Sequence, residues 1–173
     1  MSDWRIGKPA SLSDEALTEA VIARFQAIHD DCFADAPFAN HGLGVELRAL
    51  RHMEGWHVFL LLTPWMLSRM FLPERDPSLP IPDQWRSEAR AGAPYVVIGP
   101  AIKLPLLGGF QQAHINHDAV LGHHLVQPLV QNMDHYASAD AVFEAWNDVI
   151  AALHNPAIQR EHRSGTRPPA RLF

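Results

Sequence analysis

The sequence predicts an α+β fold in a single domain: an antiparallel sheet of about four to five strands, with N- and C-terminal helices packed on it. Three observations carry this. Leu17, Val21, Phe25, Ile28 and Cys32 recur at three- and four-residue steps, the period of a helix docked by one face. From Val45 onward an alternation of period two takes over, the signature of extended chain. Helical spacing dominates again after Ser138, at Val142, Trp146, Val149, Ile150 and Leu153. Helix, antiparallel strands, helix is not the βαβα alternation of a nucleotide-binding α/β fold.

Residues 1–10 read as a loose lead-in. Ser11 or Ser13 caps the first helix, and Asp14 and Glu15 suit the positive end of its dipole. The helix runs to about Asp31. Pro37 to Gly44 is a loop, and Val45, Leu47 and Ala49 form one face of a strand. Met53-Glu54-Gly55 turns the chain into a second strand, Trp56 to Leu62, giving an antiparallel hairpin. Thr63 then reads as a helix N-cap, with Pro64 at the first helical position and Pro73 as the stop. This short helix, Thr63 to Leu72, carries Trp65, Met66, Leu67, Met70, Phe71 and Leu72, with only Ser68 and Arg69 polar. A two-turn helix needs one apolar stripe, so either it is buried on every side or part of it is a docking surface. Trp and Met suit docking, because one is large and the other adaptable.

Beyond a proline-rich loop from Glu74 to Pro82, residues 83–88 can form a helical turn. A third strand is expected at Tyr95–Ile98, broken at Gly99-Pro100 and continued past a bend by Ala101–Leu107, and a fourth at Phe110–Ile115, with Gly108-Gly109 as a turn. Leu125 to Val130 reads as an edge strand, where Pro128 is tolerated. The domain spans residues 1–156, and 157–173 form a tail short of apolar residues.

Composition narrows the function. A net charge of −5 argues against a phosphate-binding surface, and no nucleic-acid motif is present. No apolar run approaches the roughly 20 residues of a membrane span. The first residues lack the apolar core of a secretory signal, so the cytoplasm is the expected compartment. A lone cysteine permits no internal disulfide and no cysteine-based metal site. Cys32 itself, on the helical stripe, reads as a buried structural thiol.

No catalytic apparatus is evident. Asp30-Asp31 reads as a solvated pair, Gly108-Gly109 lacks the flanking residues of a phosphate loop, and Ser68 has no assignable base. His114, His117, His123 and His124 fall within eleven residues, and imidazole is a common metal ligand. On a helix the His114-x-x-His117 spacing would put two imidazoles on one face; on a strand, as expected here, it points them to opposite faces, and no zincin pattern accompanies them. A metal-binding protein or metal-dependent enzyme using these four is therefore the alternative reading, and polar strand histidines the plainer one.

The block Leu61-Leu62-Thr63-Pro64-Trp65-Met66-Leu67-Ser68, with Phe71-Leu72-Pro73, resembles the signature of the HybE-like family of nickel–iron hydrogenase assembly chaperones. Pro94-Tyr95 is similar to the family's Pro-Tyr before a central strand, and Leu125-Val126-Gln127-Pro128-Leu129 to its Leu-x-x-Pro-Leu element. The resemblance runs from about Ala16 to Pro156. The chain departs from the pattern at His123-His124, where relatives often have Cys and Ser. The resemblance implies a non-enzymatic, cofactor-free accessory protein. Its partners would be the immature hydrogenase large or small subunit and possible other maturation proteins, without nucleic acid or membrane insertion. Within it, Trp65, Met66, Ser68, Met70 and Phe71 are the expected contact residues.

Overall fold

The computed structural model describes residues 3–154. Two helices flank one six-stranded antiparallel sheet. The elements are α1 (Asp14–Ile28), β1 (Glu46–Met53), β2 (Trp56–Thr63), β3 (Met66–Pro73), the single turn α2 (Ser87–Arg90), β4 (Ala101–Leu106), β5 (Gly109–Asp118), β6 (Gly122–Val130) and α3 (Ala139–Leu153). The strand order is β1-β2-β3-β6-β5-β4. The sheet is thus two meanders of three strands, joined where β3 pairs with β6. It has six strands where the sequence predicts four or five. The predicted tail at 157–173 and the helix stop at Asn155-Pro156 lie outside the described residues.

The helix caps follow the sequence. The Ser13 side chain accepts from the Ala16 amide and the Ser138 side chain from the Ala141 amide, each satisfying an orphan donor of the first turn. Leu17, Val21, Phe25 and Ile28 are buried against Phe59, Leu61, Met70 and Leu72 on one face of the sheet. Val142 and Phe143 of α3 pack with Leu62 and Leu67 on the other. The rest of that second face is covered by Trp4, Ile81 and Trp85, over Trp56, Val58 and Phe71. The first residues are therefore not a loose lead-in. Trp4 is buried, and Arg5 and Ile6 bond along β6 through the His123 amide and an Ile6–Gly122 bridge.

The largest departure from the sequence expectation is at Thr63–Leu72, which is not a helix. Thr63 and Met66 pair across a two-residue turn, Pro64-Trp65, and the chain returns as β3. The Thr63 hydroxyl donates to the Met66 carbonyl at 3.0 Å, so it locks the turn instead of capping a helix. A strand covered on both faces is apolar at every position, and periodicity cannot tell it from a buried helix. Further differences follow from local geometry. A π-turn over His29–Phe33 ends α1 and rotates position 32 off the stripe, so Cys32 is exposed and Phe33 packs inward on Trp65, ring centroids 4.6 Å apart. Tyr95–Ile98 is not a strand; the Asn116 side-chain amide, not a ladder, donates to the Val96 carbonyl at 2.8 Å. β6 is an inner strand, not an edge. Pro128 is accommodated because β5 pairs with β6 only as far as Val126, so no ladder bond is asked of its nitrogen on that side. The outer half of α3 is open, with Val149 and Leu153 exposed.

Candidate functional site

A groove of about 890 Å³ opens between α1, the Ser87–Tyr95 segment and the β5–β6 turn. Its floor is an ion pair that two distant elements bring together. Arg24, flanking the apolar stripe of α1, donates from Nε to both Asp118 oxygens at 2.8 and 3.0 Å, and from an Nη at 2.6 Å. Asp118 also accepts the amides of Val120 and Leu121, which closes the turn after β5. Burial alone would raise its pKa. The Arg24 hydrogen bonds, the two amides and the guanidinium charge outweigh burial and hold the carboxyl below its usual range. The turn lies hard against the N-terminal segment: Gly122 has φ +71°, and a Cβ there would collide with the Arg5 carbonyl.

Arg5, Lys8 and Arg90 also line the groove, with Asp31 as the further carboxylate. Arg24 is paired with Asp118 and Arg5 with Glu88 at 3.4 Å, so Lys8 and Arg90 against Asp31 leave a small excess of positive charge on a protein whose net charge is −5. Arg90 donates to the Pro94 carbonyl at 2.6 Å and lies over the Trp85 ring at 4.5 Å, which fixes the wall that carries Pro94 and Tyr95. Burial pushes the Tyr95 hydroxyl up, so it stays protonated. Ile28 and Val120 supply apolar walls. Ser87 Oγ lies 3.3 Å from His117 Nε2, but Asp118 is committed to Arg24 and the turn amides, so no carboxylate orients this imidazole among the described residues.

The predicted contact residues lie elsewhere. Trp65, Met66, Ser68, Met70 and Phe71 are all buried, none more than 6% exposed, so they offer no docking surface. Phe71 even faces the opposite side of the sheet from the other four. The motif turn serves as a prop. Trp65 lies under His29 and Phe33, the residues that end α1 beside the groove lip at Ile28, Asp31 and Cys32. Of the other motif positions, Thr63 and Pro64 make the turn, Pro73 ends β3, Pro94 and Tyr95 line the groove, and Pro128 sits in β6.

The four histidines do not form one ligand set. Register puts His117 opposite His123 on one face, with ring centroids 4.6 Å apart, and His114 and His124 on the other. Each has a local partner instead. His114 bonds the Gly99 carbonyl, His124 the Gly122 carbonyl, and His123 both the Arg5 amide and the Trp85 carbonyl. Burial lowers the pKa of His117 and His123, and that of His124 to about 4. Arg24 and Arg90 went unsignalled in sequence, since a charge beside a helical stripe or at the end of a single polar turn ordinarily reads as solvated surface.

The class of protein is given by a family match: the family described as [NiFe]-hydrogenase assembly, chaperone, HybE matches residues 16–171. The chain belongs to this family, the same one that the block around Thr63–Met66 resembles. No curated protein matches. Among solved structures, the solution structure of HybE from Escherichia coli is similar in fold. It has a TM-score of 0.51 at 20% identity, over 81% of this chain and 75% of that one. No described helix is long and apolar enough to cross a membrane.

Proposed function

We propose that this hydrogenase assembly chaperone acts in the cytoplasm, holding an immature hydrogenase subunit until cofactor insertion and subunit pairing are complete, and that a client segment seats in the groove over Arg24 and Asp118. The observation that carries the chaperone role is the family match across residues 16–171. What supports the groove is its chemistry. It is open, has apolar walls and a cationic rim, and is backed by the fixed Arg24–Asp118 pair, so a partially acidic, apolar segment fits it. A chaperone family implies a non-enzymatic role.

Affinity capture of each hydrogenase subunit precursor by the full chain tests both parts. Val120 is 44% exposed and Lys8 is exposed, so Lys8→Glu with Val120→Asp leaves the core intact. This double variant is expected to weaken capture about tenfold or more, on the scale of an interface hot spot. Phe110→Asp, at the other end of β5, serves as control and is expected to capture as the parent does. Undiminished capture by the double variant removes the client from the groove. Failure of the parent chain to capture either precursor removes the holding role itself.

A further inference from the structure

Outside the groove, one cluster among the described residues brings together metal-ligating side chains from three elements. His52 on β1 pairs directly with His57 on β2, and both face α1. A β-bulge sets this alignment. Ala49 has φ +58° and the register slips between Arg48 and Arg51, so the inward face passes from Leu47 to Leu50 and His52. Without the extra residue, His52 would point away. Asp14 arrives on the first turn of α1, and Glu74 just after β3, placed by its amide on the Gly55 carbonyl at 2.9 Å.

The imidazole of His57 is the informative member. It is 3% exposed. Its Nε2 lies 2.9 Å from the Ala10 carbonyl, an acceptor only, so Nε2 carries a hydrogen and Nδ1 is the nitrogen left for another partner. Among the described residues, that buried Nδ1 has no hydrogen-bond partner. It faces Glu74 Oε1 at 4.0 Å, too far for a hydrogen bond. Buried imidazole nitrogens are ordinarily satisfied, so one left open toward a carboxylate calls for an explanation. Beside it, His52 is bonded on both nitrogens, Nδ1 to Glu74 at 2.6 Å and Nε2 to Asp14 at 2.8 Å. As a link between two carboxylates, His52 accounts for itself; it does not account for His57.

We propose that Asp14, His52 and His57 bind a divalent first-row transition ion, with Glu74 holding His52 in place. One ligand atom from each of the three lies within 4.8 Å of the others. Zinc-type bonds of about 2.0–2.2 Å set neighbouring donors roughly 3.3 Å apart, so side-chain rotation has to bring the donors together by up to about 1.5 Å. Glu74 on His52 Nδ1 is the carboxylate–imidazole arrangement that orients a metal-bound histidine, leaving Nε2 for the ion. The proton now between Nε2 and Asp14 is released to solvent on binding. Two imidazoles with carboxylate favour Zn²⁺, Ni²⁺ or Co²⁺ over Mg²⁺, which prefers oxygen alone. Asp14 and His52 are exposed, so the ion has a path in. The proposal does not rest on the chaperone reading.

Equilibrium dialysis of the tag-free full chain against ZnCl₂, with excess Mg²⁺ present, tests it. One zinc per chain is expected, and CoCl₂ should give the intense visible bands of a four-coordinate ion. Asp14→Ala and His52→Ala, both at exposed positions, are each expected to weaken zinc binding about tenfold or more, and His57→Gln likewise where it folds. His117→Ala is expected to change nothing. Absence of stoichiometric zinc, or binding that survives both Asp14→Ala and His52→Ala, overturns the site. Binding lost with His117→Ala instead also overturns it.

Discussion

The Arg24–Asp118 pair offers a sharp test of how the groove is held. Asp118 is only 3% exposed at its side chain and Arg24 is 28% exposed, so Arg24→Met leaves a carboxylate with almost no access to water. Breaking such a pair from one side costs about 3–5 kcal/mol, because the remaining charge is buried without compensation. The partial exposure of Arg24 puts the expectation at the lower end, about 3 kcal/mol. For a chain of this size that is a fall of roughly 6–12 °C in Tm. The pH dependence adds a signature. In the parent, Asp118 is held below its usual range, so its contribution is present above the unfolded pKa of about 3.9 and is lost as pH falls through the folded value. In Arg24→Met the carboxyl stays buried and the guanidinium is gone, so it titrates higher than in the parent. The stability gap between parent and variant should then be widest near pH 7 and narrow as pH falls toward 4. Urea unfolding followed by tryptophan fluorescence at several pH values measures both. A loss below about 1 kcal/mol at neutral pH, or a gap that does not narrow in acid, would refute the assignment.

The fully buried His124, with its pKa lowered to about 4 by burial, stays neutral while the unfolded chain titrates near 6.5. Its contribution is complete above about pH 6.5 and falls away toward pH 4, on the order of 3 kcal/mol in all, and His124→Gln should flatten that slope in the same urea series. Trp65→Ala should act on stability, by about 3–5 kcal/mol, since the ring is buried under Phe33 and His29; a folded variant of parental Tm would contradict its place in the core. Leu107 is 66% exposed and holds φ +53°, a conformation that strains a branched residue. Leu107→Asn should therefore raise stability by up to about 1 kcal/mol, read as a higher urea midpoint.

Much of the scaffold is legible in the sequence because its signals are local. Ser13 and Ser138 announce their helices. Glu54-Gly55 announces a hairpin, since both adopt positive φ there. The second hairpin is silent for the converse reason. Pro64 is confined to negative φ, and the turn it makes with Trp65 uses neither glycine nor asparagine. With no turn signal, and with both sheet faces buried, an apolar run after Thr-Pro is indistinguishable from a capped helix. The groove and the His52–His57 cluster are hidden differently. Pro94-Tyr95 and His117 are visible as motif or candidate residues. Arg24 meets Asp118 only through the packing of α1 on the sheet, and His52 meets His57 only through the bulge at Ala49, which moves the inward face by one position. Neither contact has a spacing in sequence that gives it away.

The single seam between the two meanders has a bearing on how the chain reaches its native state. Each three-stranded half can zip from its own short turns, but β3 and β6 are distant in sequence, separated by the segment from Glu74 to Pro100 and by β4 and β5, so their pairing carries the larger loop-closure cost. A chain emerging from the ribosome that has not yet delivered Gly122 to Val130 carries β3 as an open, almost wholly apolar border, and such borders recruit other strands. A member of an assembly-chaperone family thus passes through a sticky interval of its own, during which the arrival of β6 competes with self-association.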